Sequence, residues 1–132
     1  YTKTHYADLS NCTDIKRAEH VAFSPLNNQM FYAVDGKVYR VNLDTSTPSA
    51  QFQFEVPGEI TCLKFYLYRN EENARHSSYD LIVCSDKGGT DGGELRVYEA
   101  IDNLAQITDY KEYHSGFGRI VDIIYKEPIT QE

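Results

Sequence analysis

The chain has 132 residues, enough for one domain that buries roughly two-thirds of its unfolded surface. Its 41% hydrophobic and 25% charged content is that of a globular protein, and 11 Tyr with no Trp favour strands. A net charge of −7 argues against binding nucleic acid or anionic lipid through the global field, and no apolar run is long enough to span a membrane. No signal peptide is visible, and the first residue is Tyr1 rather than Met, so the chain is expected to be cut from a larger protein.

Residues 1–19 are weakly patterned, with a candidate strand at Thr4–Leu9 and a helical turn at Asp14–His20. Asn11-Cys12-Thr13 fits a glycosylation sequon, which matters only in a eukaryotic secretory setting. From His20 the signal sharpens. "HVAFS" is a short apolar run ended by Ser24-Pro25, and "LNNQ" is a turn cluster. "MFYAV" and "KVYRVNL" flank Asp35-Gly36, a strong hairpin signal that puts Val38, Arg40 and Asn42 on one face and Tyr39, Val41 and Leu43 on the other. "QFQFEV" alternates strictly, placing Phe52, Phe54 and Val56 together before Pro57-Gly58 closes the unit.

The pattern then restarts. "EITCLKFYLY" is a strand, "RNEENARHSS" a polar loop, and "YDLIVCS" a strand apolar on both faces at its centre. After the loop "SDKGGTDGGE" come the strand "ELRVYEA", the connector "IDNLAQ", the half-exposed strand "ITDYKEY" and the turn "HSGFG". "RIVDIIYK" opens a further copy. "MFYAVDG" aligns with "DLIVCSDK", "KVYRVNLDT" with "ELRVYEAID", "AQFQFEV" with "AQITDYKEY", and "ITCLKFY" with "IVDIIYK".

Two repeats of four short strands predict an all-β chain of antiparallel, four-stranded blade repeats, a partial β-propeller; a β-sandwich is the alternative. The division is an N-terminal segment 1–19, a first repeat 20–58, a second repeat 59–118, and 119–132 as the first strand of a third repeat with a tail, all one structural domain. Two blades cannot close a ring, so the edge strand Ile120–Tyr125 is expected to seek a partner: upstream blades of the parent chain, a second copy of the chain, or the Tyr1–Leu9 segment.

The glycine loop fills the slot of the Asp35-Gly36 turn. Gly88 and Gly93 have P-loop spacing, but Glu94 and Leu95 stand where Lys and Ser/Thr must be, and no helix follows. A Ca²⁺ loop needs oxygen ligands at alternate positions, which glycines occupy here; Asp86, Asp91 and Glu94 remain candidates for weak Ca²⁺ binding only, and a plain hairpin is the stronger reading. No other cofactor is expected. His5, His20, His76 and His114 are scattered, and no nucleophile motif is present. Cys12, Cys62 and Cys84 lack zinc spacing; Cys62 and Cys84 sit in predicted strands and read first as buried thiols acting as small hydrophobes, with a disulfide as the alternative if their strands pair in register. Tyr66, Tyr68, Tyr113 and Phe117 are candidate ligand-binding rings for a sugar or a protein, against the plainer role of filling space between sheets.

"GEITCLKFY", "YDLIVCSDKGGTDGGELRVYEA" and "GFGRIVDIIYKEP" resemble the C-terminal part of PKD-like family lipoproteins of Bacteroidetes. Gly116, Phe117, Gly118, Arg119, Ile120, Val121, Asp122 and Ile123 fit the strand that ends those proteins, and the resemblance covers about residues 21–128. It implies a lipid-anchored protein of the bacterial outer membrane or cell surface, with a periplasmic location as the alternative, acting in binding or uptake, with glycans as a candidate ligand. The expected function is a non-catalytic binding or scaffold segment. The alternative is a fragment of a propeller-type hydrolase or lyase using Asp35, Asp86, Asp91 and Glu94.

Overall fold

The computed structural model describes residues 8–24, 28–69, 77–99 and 106–124. It is all-β, built from two open, antiparallel four-stranded meanders. The first holds β1 (His20–Phe23), β2 (Gln29–Val34), β3 (Lys37–Asn42) and β4 (Ala50–Glu55); the second holds β5 (Glu59–Arg69), β6 (Ser77–Asp86), β7 (Gly93–Glu99) and β8 (Glu112–Phe117). A 3-10 turn at Ile15–Arg17 precedes them. The predicted turns and strand parts at residues 4–7, 25–27, 70–76, 100–105 and 125–132 lie outside the described residues, as do His5 and His76.

Alternation of apolar side chains determines what each sheet buries. Between the sheets lie Phe31, Ala33, Val38 and Phe54 of the first and Ile60, Leu63, Leu81, Val83 and Tyr98 of the second. Phe54 and Tyr98 stack across this layer with centroids 3.9 Å apart. The far face of the first sheet carries Met30, Tyr32, Val34 and Val41, covered by Leu9, Cys12, Ile15 and Ala18 of the N-terminal segment. The far face of the second carries Cys62, Ile82, Cys84 and Val97, partly covered by Ile120 and Ile123. The central strands have no solvent face because both faces meet another layer.

Asp35 and Gly36 turn the β2–β3 hairpin with φ of 51° and 80°. Both are positive, the type I′ signature that follows the right-handed twist of the flanking strands.

Three expectations are corrected. Phe52 does not share a face with Phe54. Val38 pairs with Phe54 but Tyr39 pairs with Phe52, so Gln53 is an extra residue and the bulge turns Phe52 outward. The last strand of the second sheet is not at 107–113 with a turn at 114–118; it runs Glu112–Phe117, and 107–111 is irregular. Gln53 gives the reason. Its Oε1 accepts from the Ile107 amide at 3.0 Å, while Gln106 Nε2 donates to the Gln53 carbonyl at 2.7 Å. The first sheet thus holds the connector, and Ile107 is buried between the sheets. Finally, residues 119–124 form no regular strand, although they lie on the second sheet as described below.

Candidate functional site

The glycine loop returns the chain from β6 to β7. Lys87 N–H donates to Gly92 O at 3.1 Å, and Gly88 N–H donates to the Asp86 carboxylate at 2.8 Å, an Asx turn. Asp86 Oδ2 also lies 3.6 Å from Arg119. Glu94 points to the other face of the strand pair, where it is 2% exposed. There it accepts from the Tyr113 hydroxyl and lies 3.4 Å from Arg96 Nη1 and 3.6 Å from Lys87 Nζ. The Tyr113 hydrogen bond, helped by Arg96 and Lys87 and opposed by desolvation, holds the Glu94 carboxyl below its ordinary value. Asp91 is exposed on the loop. The candidate Ca²⁺ set is therefore not a set. Asp86 and Glu94 point to opposite faces and are already engaged, and no three His, Cys, Asp or Glu residues converge among the described residues.

Of the four carboxylates proposed for a hydrolase, Asp35, Asp86 and Glu94 are engaged, and Asp91 stays exposed on the loop. Asp35 pairs with Arg17, and its repeat counterpart Asp86 faces Arg119. In each sheet the aspartate ending the second strand meets an arginine from the segment that covers that sheet's outer face.

The candidate rings do not converge either. Tyr113 sits opposite Arg96 on the face toward the first sheet, with the guanidinium 4.9 Å from its ring centroid and 5.5 Å from that of Tyr110. Tyr66 packs on the opposite face with Cys62 and Ile82. Phe117 pairs with Gly93 at the β7–β8 edge. The Tyr68 side chain lies outside the described residues. Glu94, Arg96, Tyr110 and Tyr113 form one cluster, stitched by cation–π contacts and a charged hydrogen bond, which braces the β7–β8 edge.

A recess of about 180 Å³ on the first sheet is lined in part by Gln29, Arg40, Asn42 and Gln51. Arg40 is buried, its guanidinium 5.8 Å from the Phe31 ring, and desolvation lowers its pKa. The alternation of "KVYRVNL" puts Arg40 on the face of Val38 but does not say that this face is inward; nor does it disclose the recess, because loop residues Thr45, Pro48 and Ser49 complete it.

The surface with the clearest unfilled side is made by residues 119–124. Arg119 Nη1 donates to Glu59 at 2.7 Å, and Lys64 Nζ donates to Asp122 at 2.9 Å and to Ile123 O at 2.9 Å. Ile120 and Ile123 pack down on the second sheet, while Val121 and Ile124 are 73% and 85% exposed. Among the described residues no helix is long and apolar enough to cross a membrane. Compared with known proteins, the chain matches no family model, no curated protein and no solved structure.

Proposed function

We propose that the chain is a non-catalytic scaffold segment, two consecutive blades of a propeller-type stack, which binds a further sheet-forming protein segment through residues 119–124. The supporting observation is the way the repeats face one another. With the repeats anchored on Asp35 and Asp86, Phe31 is equivalent to Ile82 and Ala33 to Cys84, and their ladder partners make Val38 equivalent to Leu95. The first member of each pair faces the second sheet, whereas the second member faces away from the first sheet. Conversely, Tyr32 and Val41 face the N-terminal cover, while their equivalents Val83 and Tyr98 face the first sheet. Two sheets related by a face-to-face two-fold would bury equivalent residues against each other. On this alignment the sheets follow one another in the same sense, which supports the reading of successive blades.

The third copy continues the series. Ile60 and Leu63 face the first sheet; their equivalents Ile120 and Ile123 face the second. Val121 and Ile124 then stand where the next sheet would be covered, and they have no cover among the described residues. The N-terminal segment already buries the opposite end of the stack, so the free side is the downstream one. The cell-surface, lipid-anchored setting is part of this proposal and rests on the resemblance of the Gly116–Ile123 ending.

The test is sedimentation velocity across a concentration series. The chain self-associates through this face, and Val121→Glu with Ile124→Glu abolishes the association while leaving the far-UV circular dichroism unchanged. A chain that stays monomeric throughout the series refutes the reading. A glycan array and a glycosidase substrate panel examine the other classes: turnover lost in Glu94→Gln would replace the scaffold with an enzyme.

A further inference from the structure

Cys62 and Cys84 are direct partners in the β5–β6 ladder, and both are free thiols. Directly opposed antiparallel residues have Cα atoms about 4.5 or 5.5 Å apart, depending on the pair type, and both separations fall inside the span of about 4.4–6.8 Å that a disulfide bridges. The register breaks between Ile60 and Cys62, so the backbone beside one cysteine is a bulge and can adjust. The neighbouring Cys84 thiol draws the pKa of Cys62 below its ordinary value, while the proximity of Cys62 and burial push that of Cys84 up.

Both are buried, beneath Ile120 and Ile123 of the C-terminal segment. Lys64, two residues after Cys62 and on the same face, pins that cover through Asp122 and the Ile123 carbonyl.

We infer that Cys62 and Cys84 form a dithiol–disulfide couple, a cross-strand covalent modification site that reacts with low-molecular-weight disulfides when residues 119–124 lift from the sheet. The Cys62 thiolate attacks one sulfur of the incoming disulfide, forming a mixed disulfide and expelling the first small thiolate. Cys84, losing its proton, attacks the Cys62 sulfur, closes the protein disulfide and releases the second small thiolate. The protein loses two electrons and two protons; the small disulfide gains both and leaves as two thiols. The inference does not depend on the blade reading, because the pairing is set by the β5–β6 register in either arrangement of sheets. Cys12 is not part of the couple: it lies in the N-terminal segment, buried against the first sheet, and its Sγ donates to Pro48 O at 3.6 Å.

The folded chain is incubated with oxidised glutathione, and its peptides are mapped by mass spectrometry without reduction. The expected product is a monomer lighter by two hydrogens, with Cys62 and Cys84 cross-linked within one chain and Cys12 still a free thiol. The product should melt at a higher temperature than the reduced protein, and a reducing agent should reverse this. Cys84→Ser should stop at the mixed disulfide, with one glutathione on Cys62. Lys64→Ala frees the cover and should speed closure several-fold, even though it removes a charge that favours the Cys62 thiolate. If Cys84→Ser does not fold, the map of the unsubstituted chain and the Lys64→Ala rate decide the matter. Cross-links through Cys12 or between chains, or a reaction at Cys62 and Cys84 seen only in denaturant, would overturn the inference.

Discussion

Phe52 and Phe54 are two residues apart on one strand, and their substitution by alanine separates a bulged sheet from a regular one. Phe54 is 5% exposed and stacks on Tyr98 of the other sheet. A buried aromatic ring covers roughly 150–250 Å², worth about 4–6 kcal/mol at ~25 cal/mol per Å². Partial collapse of the site brings the expected cost of Phe54→Ala to about 3–5 kcal/mol. For a chain of this size that is a fall in Tm of roughly 10–20 °C. Phe52 is 45% exposed and touches the Tyr39 ring edge-on from the far side of the sheet, so Phe52→Ala should cost about 1 kcal/mol. Urea unfolding followed by circular dichroism measures both, and tyrosine emission provides a second probe because the chain lacks Trp. Equal costs for the two substitutions would mean that the rings share a face, and the bulge at Gln53 would be wrong.

Gln53→Leu should destabilise the fold by about 1–3 kcal/mol, since it leaves the Ile107 amide without its acceptor; amide exchange at Ile107 should rise with it. Gly58 has φ of 85°, and a Cβ there would lie 2.4 Å from the Asp86 carbonyl oxygen; Gly58→Ala should therefore cost at least about 1–3 kcal/mol, and an unchanged urea midpoint would contradict the close approach of the two hairpins. The lowered pKa of Glu94 carries a sign: its contribution is complete above the unfolded carboxylate value, about pH 4.3, and is lost as pH falls through the lower folded value. Urea midpoints from pH 6 down to pH 2 should show that loss in the native chain and a flatter profile in Glu94→Gln.

What the sequence discloses and what it conceals follow from the range of the interactions. The Asp35-Gly36 hairpin and the central strands were legible because turn chemistry and alternation act over a few residues. The two antiparallel four-stranded units were legible for the same reason, three strands at a time. The fourth strand of each sheet was not. In the first, alternation of Phe52, Phe54 and Val56 is true of the residues but broken in the ladder, because Gln53 bonds the Ile107 amide and the Gln106 side chain rather than taking a place in the register. In the second, that same capture delays β8 to Glu112, beyond the alternation of Ile107 and Lys111. The candidate site suffered most. Asp86 and Glu94 looked like one acidic loop, yet they flank a hairpin whose strands direct them to opposite faces, and Arg119 and Tyr113 come from later in the chain to claim them. The pairing of Cys62 with Cys84 needed the register, which no spacing of two cysteines supplies.

The central claim is that each repeat faces its predecessor in the same sense, so that Ile120 and Ile123 meet the second sheet as Ile60 and Leu63 meet the first. Methyl NOE spectroscopy of the chain labelled at Ile, Leu and Val tests it directly. The account predicts cross-peaks from Ile120 and Ile123 to Ile82 and Val97, and none from Val121 to the second sheet in the monomer. Cross-peaks from Val121 and Ile124 to Ile82 and Val97, with Ile120 and Ile123 facing solvent, would contradict it.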